Sequence, residues 1–594
     1  MSYGMRLRSR PLTSVNDRKR YDGRGCLLWL SVPAVFCLFL RTRTPTVGLI
    51  DSGELAAGCY LLNILHPTGY PLWTLLGRIA SFFPLGAIVN RVAVMSAFFS
   101  TISIVLFIFL LRQLGFTQSI STALGLVLGF STPVWSASTD VEVYSLSLAL
   151  IIIVLLSVSS SDPNRIFLFF PYVAGLTLSN HLFGLSIVLG ATCVLFLEKK
   201  WEVLKRFPLM VLFFALGLSP YLYLILRTRC EPVLAWGNPV DLERFWWHIT
   251  GKQYRVWMFS FPLNEVLKNI SKGMLLLINS LGYVLFPFAF YGWIQFFKQQ
   301  RSITFALTVS AVVSFFYAVN YSIPDIEAYF IPTIVCLLIF AAAGIEALRK
   351  RGGKFWYIVW LVAFGVLIFN FPSQNRSEDW VAYDQAMNTL ASADSNATII
   401  TDWWDCYAPI FYLQHVEGVR PDVCIIDKEL VRRSWYFKYL EKSYPWLVER
   451  SRTEKERFLE QLRQFERNQP YDPMAIQESY VALLRSFLLN SPERPSYTTF
   501  SPMSNRDARQ ILAGFNLVPV GILFQLREDT FIPAFDYHRL RVRYPNRKLD
   551  PRTKVNLERY RFFVKQRIEI LKVQGRIEEA LAVNDWYQKI FPQH

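Results

Sequence analysis

Residues 49–71, LIDSGELAAGCYLLNILHPTGYP, follow the first apolar run of the chain directly and place Asp51, Glu54 and His66 in one short segment. The segment ends in the turn PTGYP, whose two prolines flank a glycine. Because proline fixes its backbone angle, we expect this turn to be rigid and to hold the imidazole near the aspartate. The stretch predicts a fixed cluster of acids and imidazole at the end of an apolar segment.

The two acids of this cluster have more than one interpretation. A carboxylate accepts the proton of an attacking hydroxyl, so Asp51 is a candidate general base. An aspartate followed three residues later by a glutamate is also close to a capping box, in which both side chains only begin a helix. A lone histidine is more often structural than catalytic. We interpret Asp51, Glu54 and His66 as catalytic, and the capping alternative stays open, above all for Glu54.

The composition indicates a membrane protein with a soluble part. Of 594 residues, 53% are hydrophobic, 16% are aromatic and only 18% are charged. That is more apolar surface than one soluble core buries. The predicted domains are a basic cytoplasmic N-terminus at 1–24, a transmembrane domain at 25–371, a water-facing domain at 372–540 and a helical hairpin at 541–594.

A membrane span needs about 20 apolar residues. We predict about eleven spans, at 25–41, 90–112, 119–135, 142–158, 165–180, 182–197, 207–226, 274–297, 303–319, 329–347 and 355–371. The first lacks a small-x-small cleavage site, which favours an uncleaved span over a signal peptide. With the N-terminus inside, basic residues cluster in the inside loops, as the positive-inside rule requires. The C-terminal domain is then extracytoplasmic, in a periplasm or an ER lumen, and the fold is mostly α-helical.

The formal net charge of +17 does not indicate a nucleic-acid partner. Basic cytoplasmic loops and attraction to anionic membrane lipid account for it, and the sequence shows no nucleic-acid-binding module. No cluster has metal-ligand spacing, so neither a metal nor another cofactor is expected. Cys406 and Cys424 are open to pairing in an oxidising compartment, or to remaining free thiols.

The predicted outer loops hold the other candidate substrate-binding residues. Polar pairs occur at Asp140 and Glu142, at Asn180 and His181, and at Asp325 and Glu327. The loop 227–273 adds Arg227, Arg229, Lys252 and Arg255 as candidate phosphate contacts, and Trp247 and Tyr254 as candidates to stack on a sugar. Each cation is also open to interpretation as a headgroup contact, and each aromatic residue as part of an interfacial belt.

The soluble part begins with a small α/β pattern. ATII at 397–400 and VCIID at 423–427 indicate buried strands, and helical periodicity lies around 374–392 and 429–440. Residues 560–592 alternate helix, Gly-Arg turn and helix, which resembles one tetratricopeptide-type hairpin and not an array.

Four motifs carry a family resemblance. DSGEL with HPTGYPLW, WGNP with ERFWWHITGKQYR, NYSIPDIEAYF, and ITDWWD resemble the transmembrane protein O-mannosyltransferase family, formerly a domain family of unknown function. Its vertebrate member modifies IPT domains of plexins and related receptors. The family is similar to the GT-C class of glycosyltransferases, which implies a GT-C fold over roughly residues 25–440.

The resemblance implies a mechanism. Asp51 matches the first-loop acid of the class, the presumed general base, and Glu54 and His66 lie in the same motif. A Ser or Thr hydroxyl of an extracytoplasmic acceptor protein would attack the anomeric carbon of a polyprenyl- or dolichyl-phosphate mannose. One displacement inverts that carbon, and a phosphate leaving group needs no second carboxylate, unlike the pair in glycosidases.

Three other functions compete with this one. The first is a transporter or flippase of lipid-linked sugars, although transporters place ionisable residues near the bilayer midplane. The second is a transferase or polymerase of envelope glycans, which shares the donor but not the acceptor. The third is a receptor without catalytic activity that binds through its C-terminal domain.

Overall fold

The structure, a computed structural model, describes residues 25–352, 354–490 and 493–591. The basic segment predicted at 1–24 lies outside these ranges. The described chain is mostly helical, and its first part carries the helices α1 (Gly25–Thr42), α2 (Ser52–Leu61), α3 (Pro71–Ala80), α4 (Ile88–Gln113), α5 (Gln118–Phe130), α6 (Thr132–Ser138), α7 (Tyr144–Val158), α8 (Phe170–Asn180), α9 (Leu185–Gly217), α10 (Leu222–Arg229), α11 (Leu242–Ile249), α12 (Leu263–Leu281), α13 (Leu285–Gln299), α14 (Arg301–Val319), α15 (Ile331–Lys350) and α16 (Ile358–Gln374).

Several of these helices have the length and composition of membrane spans. Among the described residues, four segments are each long and apolar enough to cross a membrane alone. They are α4, α14, Leu182–Gly217, which contains α9, and Ile326–Lys350, which contains α15. Two pairs qualify only together and are bent, by 68° between α5 and α6 and by 92° between α12 and α13. The chain is therefore built as a multi-pass membrane protein with four to six spans by these criteria, and the figure of eleven stays a prediction.

The helix α9 departs from the predicted loop at 198–206. A straight helix of 33 residues would be about 50 Å long, which would carry its last residue away from α8. Instead Gly217 at its end contacts α8, because a Cβ added to Gly175 would lie 2.8 Å from Gly217 Cα. The chain reverses at Lys199, whose backbone leaves the helical region at φ −133° and ψ 31°. The predicted break between two spans is therefore present at Lys199, and the structure differs only in that residues 200–206 are helical and do not form a loop.

The span predicted at 274–297 is not one helix. The chain breaks at Gly282, whose φ of +61° ends α12, and α13 continues at 92° to it. A positive φ is accessible to glycine without the steric cost that a side chain adds. The predicted span is therefore wrong in its continuity, although both halves are helical.

The helix α15 lies at the centre of the bundle, and 89% of the apolar stretch that contains it is buried. It packs closely against α13, where a Cβ on Gly292 would lie 1.8 Å from the Phe340 carbonyl oxygen. Small residues allow this approach, as is common between membrane helices. The centre of the bundle is therefore a close-packed support for the loops at its ends.

The C-terminal part contains one five-stranded sheet with strand order β2-β1-β3-β5-β4. Its strands are β1 (Thr398–Thr401), β2 (Cys424–Asp427), β3 (Ser496–Thr498), β4 (Asn516–Val520) and β5 (Leu523–Arg527). β1 pairs in parallel with β2 and β3, whereas β5 is antiparallel to β3 and β4. The strands β1 and β2 lie where the sequence predicts them. Cys406 and Cys424 are both buried free thiols.

Ten helices accompany this sheet in the described part of the chain: α17 (Val381–Ser392), α18 (Trp404–His415), α19 (Lys428–Val431), α20 (Tyr436–Ser443), α21 (Pro445–Arg450), α22 (Arg452–Glu466), α23 (Pro473–Leu489), α24 (Arg506–Ile511), α25 (Pro551–Val573) and α26 (Ile577–Ile590). The last two form the hairpin predicted near the C-terminus, with Gly575 at φ +75° in the turn. Helix α25 packs on β4, where Arg567 donates a 2.7 Å hydrogen bond to the carbonyl of Pro519.

Candidate active site

The loop between α1 and α2 carries the central carboxylate. Asp51 precedes the first residue of α2, but its side chain makes no capping hydrogen bond. Glu54 directs its carboxylate away from the helix start, because Oε1 accepts a 2.8 Å hydrogen bond from the backbone N–H of His66. The two acids therefore do not form a capping box, and both side chains face His66.

Glu54 and His66 form a buried pair. The imidazole Nδ1 and Glu54 Oε2 are 2.7 Å apart, and the Glu54 side chain is 3% exposed. Burial alone would lower the pKa of His66, but the negative charges of Glu54 and Asp51 and the hydrogen bond to Glu54 raise it to about 9. His66 is therefore an imidazolium at neutral pH.

Asp51 is the accessible carboxylate of the cluster, with a side chain that is 22% exposed. Its Oδ1 accepts a 2.7 Å hydrogen bond from Trp404 Nε1, and its Oδ2 lies 3.7 Å from His66 Nε2. Burial raises the pKa of Asp51, while the imidazolium and the indole hydrogen bond oppose that rise. Oδ2 keeps free lone pairs that an incoming hydroxyl could use.

The C-terminal part brings Trp404 to this loop. The strand β1 ends at Thr401 and α18 begins at Trp404, so the indole stands at the carboxyl end of a parallel strand, where α/β sheets usually place their sites. Helices α2 and α18 pack directly on each other, because a Cβ on Gly53 would lie 2.3 Å from the Ala408 carbonyl oxygen. Only glycine allows that approach.

Asp405 holds the same junction between α18 and the loop before α2. Its side chain is 2% exposed, and its Oδ1 accepts a 2.9 Å hydrogen bond from the Ile50 backbone N–H. Arg552 on α25 forms a bidentate pair with this carboxylate, with N–O distances of 2.7 to 2.9 Å, and Asn556 Nδ2 adds a 2.9 Å hydrogen bond. The C-terminal hairpin is thereby tied to the residue next to Asp51.

A second acid stands near Asp51. Asp325 Oδ2 accepts a 2.5 Å hydrogen bond from the Tyr144 hydroxyl. Burial and the charge of Asp51 raise the pKa of Asp325. The loop between α14 and α15, predicted to be outside, therefore reaches the same cluster.

The remaining predicted acids line a cavity of about 660 Å³, and Ile50, next to Asp51, is part of the same wall. Asp140, Glu142, Asp325 and Glu327 all contribute to its wall. Asp140 is committed within the protein, because its Oδ1 accepts a 2.7 Å hydrogen bond from the Ser52 hydroxyl. Glu142 and Glu327 make no side-chain hydrogen bond or ion pair with any part of the chain that the structure describes.

The pair Asn180 and His181 lies one layer behind the cluster. The His181 ring is parallel to Tyr70 at 5.3 Å, and Tyr70 meets His66 edge-on at 4.9 Å. His181 Nδ1 accepts a hydrogen bond from the Phe183 backbone N–H, so the ring is neutral. Asn180 is fully buried and donates to the Ser147 hydroxyl at 2.8 Å. Both are placed to support the site.

The loop 227–273 covers the other side of His66. The Tyr254 ring lies 6.3 Å from the imidazole ring. Arg227 donates to the backbone carbonyls of Leu61 and Leu62, which end α2. Lys252 donates to the Glu466 carbonyl at 2.7 Å and lies 3.5 Å over the Trp247 ring, whereas Arg229 and Arg255 are exposed. Their predicted contact with phosphate stays a prediction.

Sequence reasoning missed an aromatic wall and a cation. Trp236 lies 5.6 Å from Trp404 and 4.8 Å from Trp435, and 5.9 Å from His66. Arg433 is half-buried, and burial lowers its pKa while Tyr254 and Glu466 raise it. Among the described residues its guanidinium has no hydrogen-bond or ion-pair partner. Trp404 lies in the motif ITDWWD, which belongs to the family resemblance and could have indicated a role in the site. Arg433 lies in RRSWYF, and no pattern there indicates such a role.

One group of described residues has the spacing of a metal site. Ligand atoms of Asp51, Glu54 and His66 lie within 4.8 Å of one another. In this structure His66 Nδ1 is used in its 2.7 Å contact with Glu54, and His66 Nε2 lies 3.7 Å from Asp51 Oδ2. A metal-bound histidine must be neutral, so an ion bound here would have to displace the proton of His66.

Comparison with known families and proteins gives the following relatives. Residues 51–205 match the family described as Protein O-mannosyl-transferase TMEM260 N-terminal domain, and residues 382–446 match TMEM260-associated domain 2. The first segment contains Asp51 and His66, and the second contains Trp404. The matches confirm the resemblance to the transmembrane protein O-mannosyltransferase family.

Two curated proteins are similar over much of the chain. Protein O-mannosyl-transferase TMEM260 of Mus musculus is 25% identical over 456 residues, which cover 70% of this chain and 64% of the mouse protein. The Dictyostelium discoideum protein of the same name is 21% identical over 503 residues, covering 69% and 58%. The chain therefore spans about three fifths of the length of these relatives.

Solved structures of ArnT from Cupriavidus metallidurans share the fold. The apo structure has a TM-score of 0.52 at 13% identity, covering 86% of this chain and 98% of ArnT. The structure bound to undecaprenyl phosphate has a TM-score of 0.51 at 12% identity, covering 85% and 98%. The likeness shows a GT-C architecture, as the sequence predicts.

Proposed function

We propose that this protein transfers mannose from a polyprenyl-phosphate donor to a Ser or Thr hydroxyl of an extracytoplasmic protein, with Asp51 as general base. One observation carries the proposal: of the two carboxylates beside His66, Asp51 is 22% exposed and Glu54 is 3% exposed. A base must be reachable by the hydroxyl that it deprotonates. The names of the mouse and Dictyostelium relatives support the activity and the sugar.

The reaction is a single displacement. The acceptor oxygen attacks the anomeric carbon of mannose, and its proton passes to Asp51 Oδ2. The bond from that carbon to the phosphate oxygen breaks, and the polyprenyl phosphate leaves with the bonding electrons. Attack opposite the leaving group inverts the anomeric configuration. No second acid is required, because the leaving phosphate is a stable anion.

His66 and Glu54 tune the base. The imidazolium, 3.7 Å from Asp51 Oδ2, favours the charged carboxylate that burial alone would disfavour. Glu54 keeps the imidazole protonated through the 2.7 Å contact to Nδ1. Trp404 fixes the orientation of the carboxylate by its hydrogen bond to Oδ1.

Arg433 is the cation best placed to meet the donor phosphate. It has no partner within the described chain, whereas Arg227 and Lys252 are bound to backbone carbonyls. Arg433 lies two residues before Trp435, which packs on Trp236 beside His66. A guanidinium matches phosphate oxygens with two parallel hydrogen bonds. The lipid kind follows the undecaprenyl phosphate bound to ArnT.

The active face and the C-terminal domain lie outside the cytoplasm in this proposal. This proposal is supported by the contacts that bring the predicted outer loops and the C-terminal part together at Asp51. A single cysteine at Met503, which is 92% exposed, tests the orientation in a variant without native cysteines. Labelling by an impermeant reagent from the extracytoplasmic side is expected, and labelling only from the cytoplasmic side would overturn the orientation.

The activity is tested in membranes that contain the full chain, polyprenyl-phosphate mannose and a Ser/Thr-bearing protein acceptor. Protein-linked mannose of inverted configuration is expected. A chelator is expected to leave the rate unchanged, because the proposed base needs no metal. Mannose found only in lipid or glycan would contradict the protein acceptor, and movement of donor across the membrane without transfer would support a flippase.

A further inference from the structure

The cavity beside Ile50 has walls from four parts of the chain. The outer loops of the membrane domain contribute residues 44–50, 133–144 and 324–328, and the segment after α16 contributes Arg376 and Asp379. Trp403 and Asp405 stand where β1 leads into α18, and residues 547–559 around the start of α25 close the remaining side. At about 660 Å³ it has the size of a ligand site. It reaches the acid cluster through Asp325, whose pKa is raised by burial and by the charge of the nearby Asp51.

The arginines of this cavity are already paired. Arg552 forms the bidentate pair with Asp405. Arg547 Nη2 donates to Asp379 at 2.5 Å and to Asp550 at 3.1 Å. Both guanidinium groups therefore already have a counter-charge in the protein.

Arg376 is also committed. It donates to the Ser136 hydroxyl at 2.8 Å and lies 3.8 Å from Asp140. The last arginine, Arg559, stacks 3.5 Å over Trp403 and lies 3.7 Å from Asp402. Every positive charge of the wall therefore has a counter-charge in the protein.

Acidic groups are left over. Glu142 and Glu327 line the cavity without a hydrogen-bond or ion-pair partner in the described ranges, and Asp325 is held only by the Tyr144 hydroxyl. The fully buried Asn556 also lines the cavity, and its Oδ1 accepts no hydrogen bond. Arg376 Nε and Arg547 Nε also lack a hydrogen-bond partner, but both guanidinium groups already face a carboxylate. The ionisable groups of this wall that lack a counter-charge are therefore acidic.

We propose that this cavity is the acceptor cleft and that it selects a polypeptide segment in which a Lys or Arg side chain lies near the glycosylated hydroxyl. The inference rests on the proposed function, because it assigns one substrate of that reaction. Acidic groups without a counter-charge favour a cationic ligand over a phosphate, so the donor phosphate is excluded from this side. It binds on the opposite side of Asp51, near Arg433, and the hydroxyl enters beside Asp325.

Binding without donor tests the cleft separately from catalysis. The full chain in detergent is titrated with two short synthetic peptides that each carry one threonine, flanked by lysine in one and by glutamate in the other. The lysine peptide is expected to bind at least about fivefold more tightly. Equal binding of both peptides, or binding of neither, would overturn the proposal.

Two variants locate the preference. Glu327→Gln and Glu142→Gln each replace one carboxyl group that has no partner in the described chain, and neither breaks a contact there. Both variants are therefore expected to fold and to lose most of the preference for the lysine peptide. Glu569→Gln on the exposed face of α25 is the matched control and is expected to keep it. A preference that survives in both cavity variants would contradict the assignment.

Kinetics separate this inference from the proposed function. With a protein acceptor, Glu327→Gln is expected to raise KM for the acceptor about fivefold and to leave KM for the donor unchanged. A raised KM for the donor alone would place the donor in the cavity and overturn the inference while the transferase activity stands. If the protein selects the lysine peptide but transfers no mannose, the assignment of the cleft stands and the proposed reaction is rejected.

Discussion

Trp404 Nε1 donates a 2.7 Å hydrogen bond to Asp51 Oδ1, although 353 residues separate the two in sequence. One residue belongs to the first loop of the membrane domain and the other to the C-terminal α/β unit. The contact therefore makes the C-terminal part a component of the site. Both residues lie within the segments that match the TMEM260 family.

Replacing Trp404 with phenylalanine tests this contact. The hydrogen bond lowers the pKa of Asp51, so its loss raises that pKa further. The acidic limb of the pH–rate profile for mannose transfer is expected to move up by about one unit, since a hydrogen bond to a charged group contributes about 1.5–3 kcal/mol. Trp446→Phe, which stacks on Arg494 elsewhere in the domain, is the control. An unchanged limb would show that the indole does not act on the base.

Replacing Glu54 with glutamine is expected to change the alkaline limb instead. The pKa of His66 is raised to about 9 by Glu54 and Asp51, so the imidazole is protonated below that pH and loses its charge above it. Without the charge of Glu54 the pKa falls, and the loss of activity begins at lower pH. The same pH–rate measurement distinguishes the two variants, because Trp404→Phe shifts the other limb. A shift of the acidic limb alone would contradict the assigned role.

Replacing Arg552 with alanine is expected to destabilise the junction between the hairpin and the active-site loop. Asp405 is 2% exposed and would be left buried without its bidentate partner. The expected loss is about 2–3 kcal/mol in the free energy of unfolding, measured by thermal unfolding in detergent. Lys565→Ala, an exposed residue of the same helix, is expected to have no effect. An unfolding temperature equal for both variants would refute the structural role.

Replacing Arg433 with alanine is expected to weaken donor binding. A lost contact between guanidinium and phosphate removes about 1.5–3 kcal/mol, which corresponds to a rise of at least about tenfold in KM for the donor. The acceptor KM is expected to stay constant. Arg457→Ala on α22, where the side chain is exposed, controls for the loss of a positive charge. If both variants behave alike, the phosphate contact lies on another residue.

Part of this architecture could be predicted from sequence. The segment 49–71 already contained the proposed base and its two neighbours. The strands β1 and β2 and the terminal hairpin follow from local patterns of hydrophobicity, whereas β3, β4 and β5 were not predicted. The break at Gly282 could not be located, because an apolar run on both sides hides the change of direction. The break at Lys199 lies within the predicted loop 198–206. The helix over residues 200–206 was missed because polar residues suggest a loop, although the same residues are good helix formers.

The composition of the site itself could be predicted only in part. Asp325 and Tyr254 stand near His66 as loop position suggests. The contacts of Trp404 with Asp51 and of Arg552 with Asp405 join segments hundreds of residues apart, and no local pattern encodes such partners. Arg227 was a reasonable phosphate candidate by residue type, yet its guanidinium bonds to the end of α2. Residue type indicates chemistry, whereas packing decides which groups stay free.

The most direct measurement is the rate of mannose transfer by Asp51→Asn at saturating donor and acceptor. Asparagine keeps the size of the side chain and the oxygen that accepts from Trp404, but it cannot take the proton. The rate is expected to fall at least about 100-fold, with unchanged thermal unfolding and unchanged donor binding. Transfer at the wild-type rate would contradict the role of Asp51 as general base.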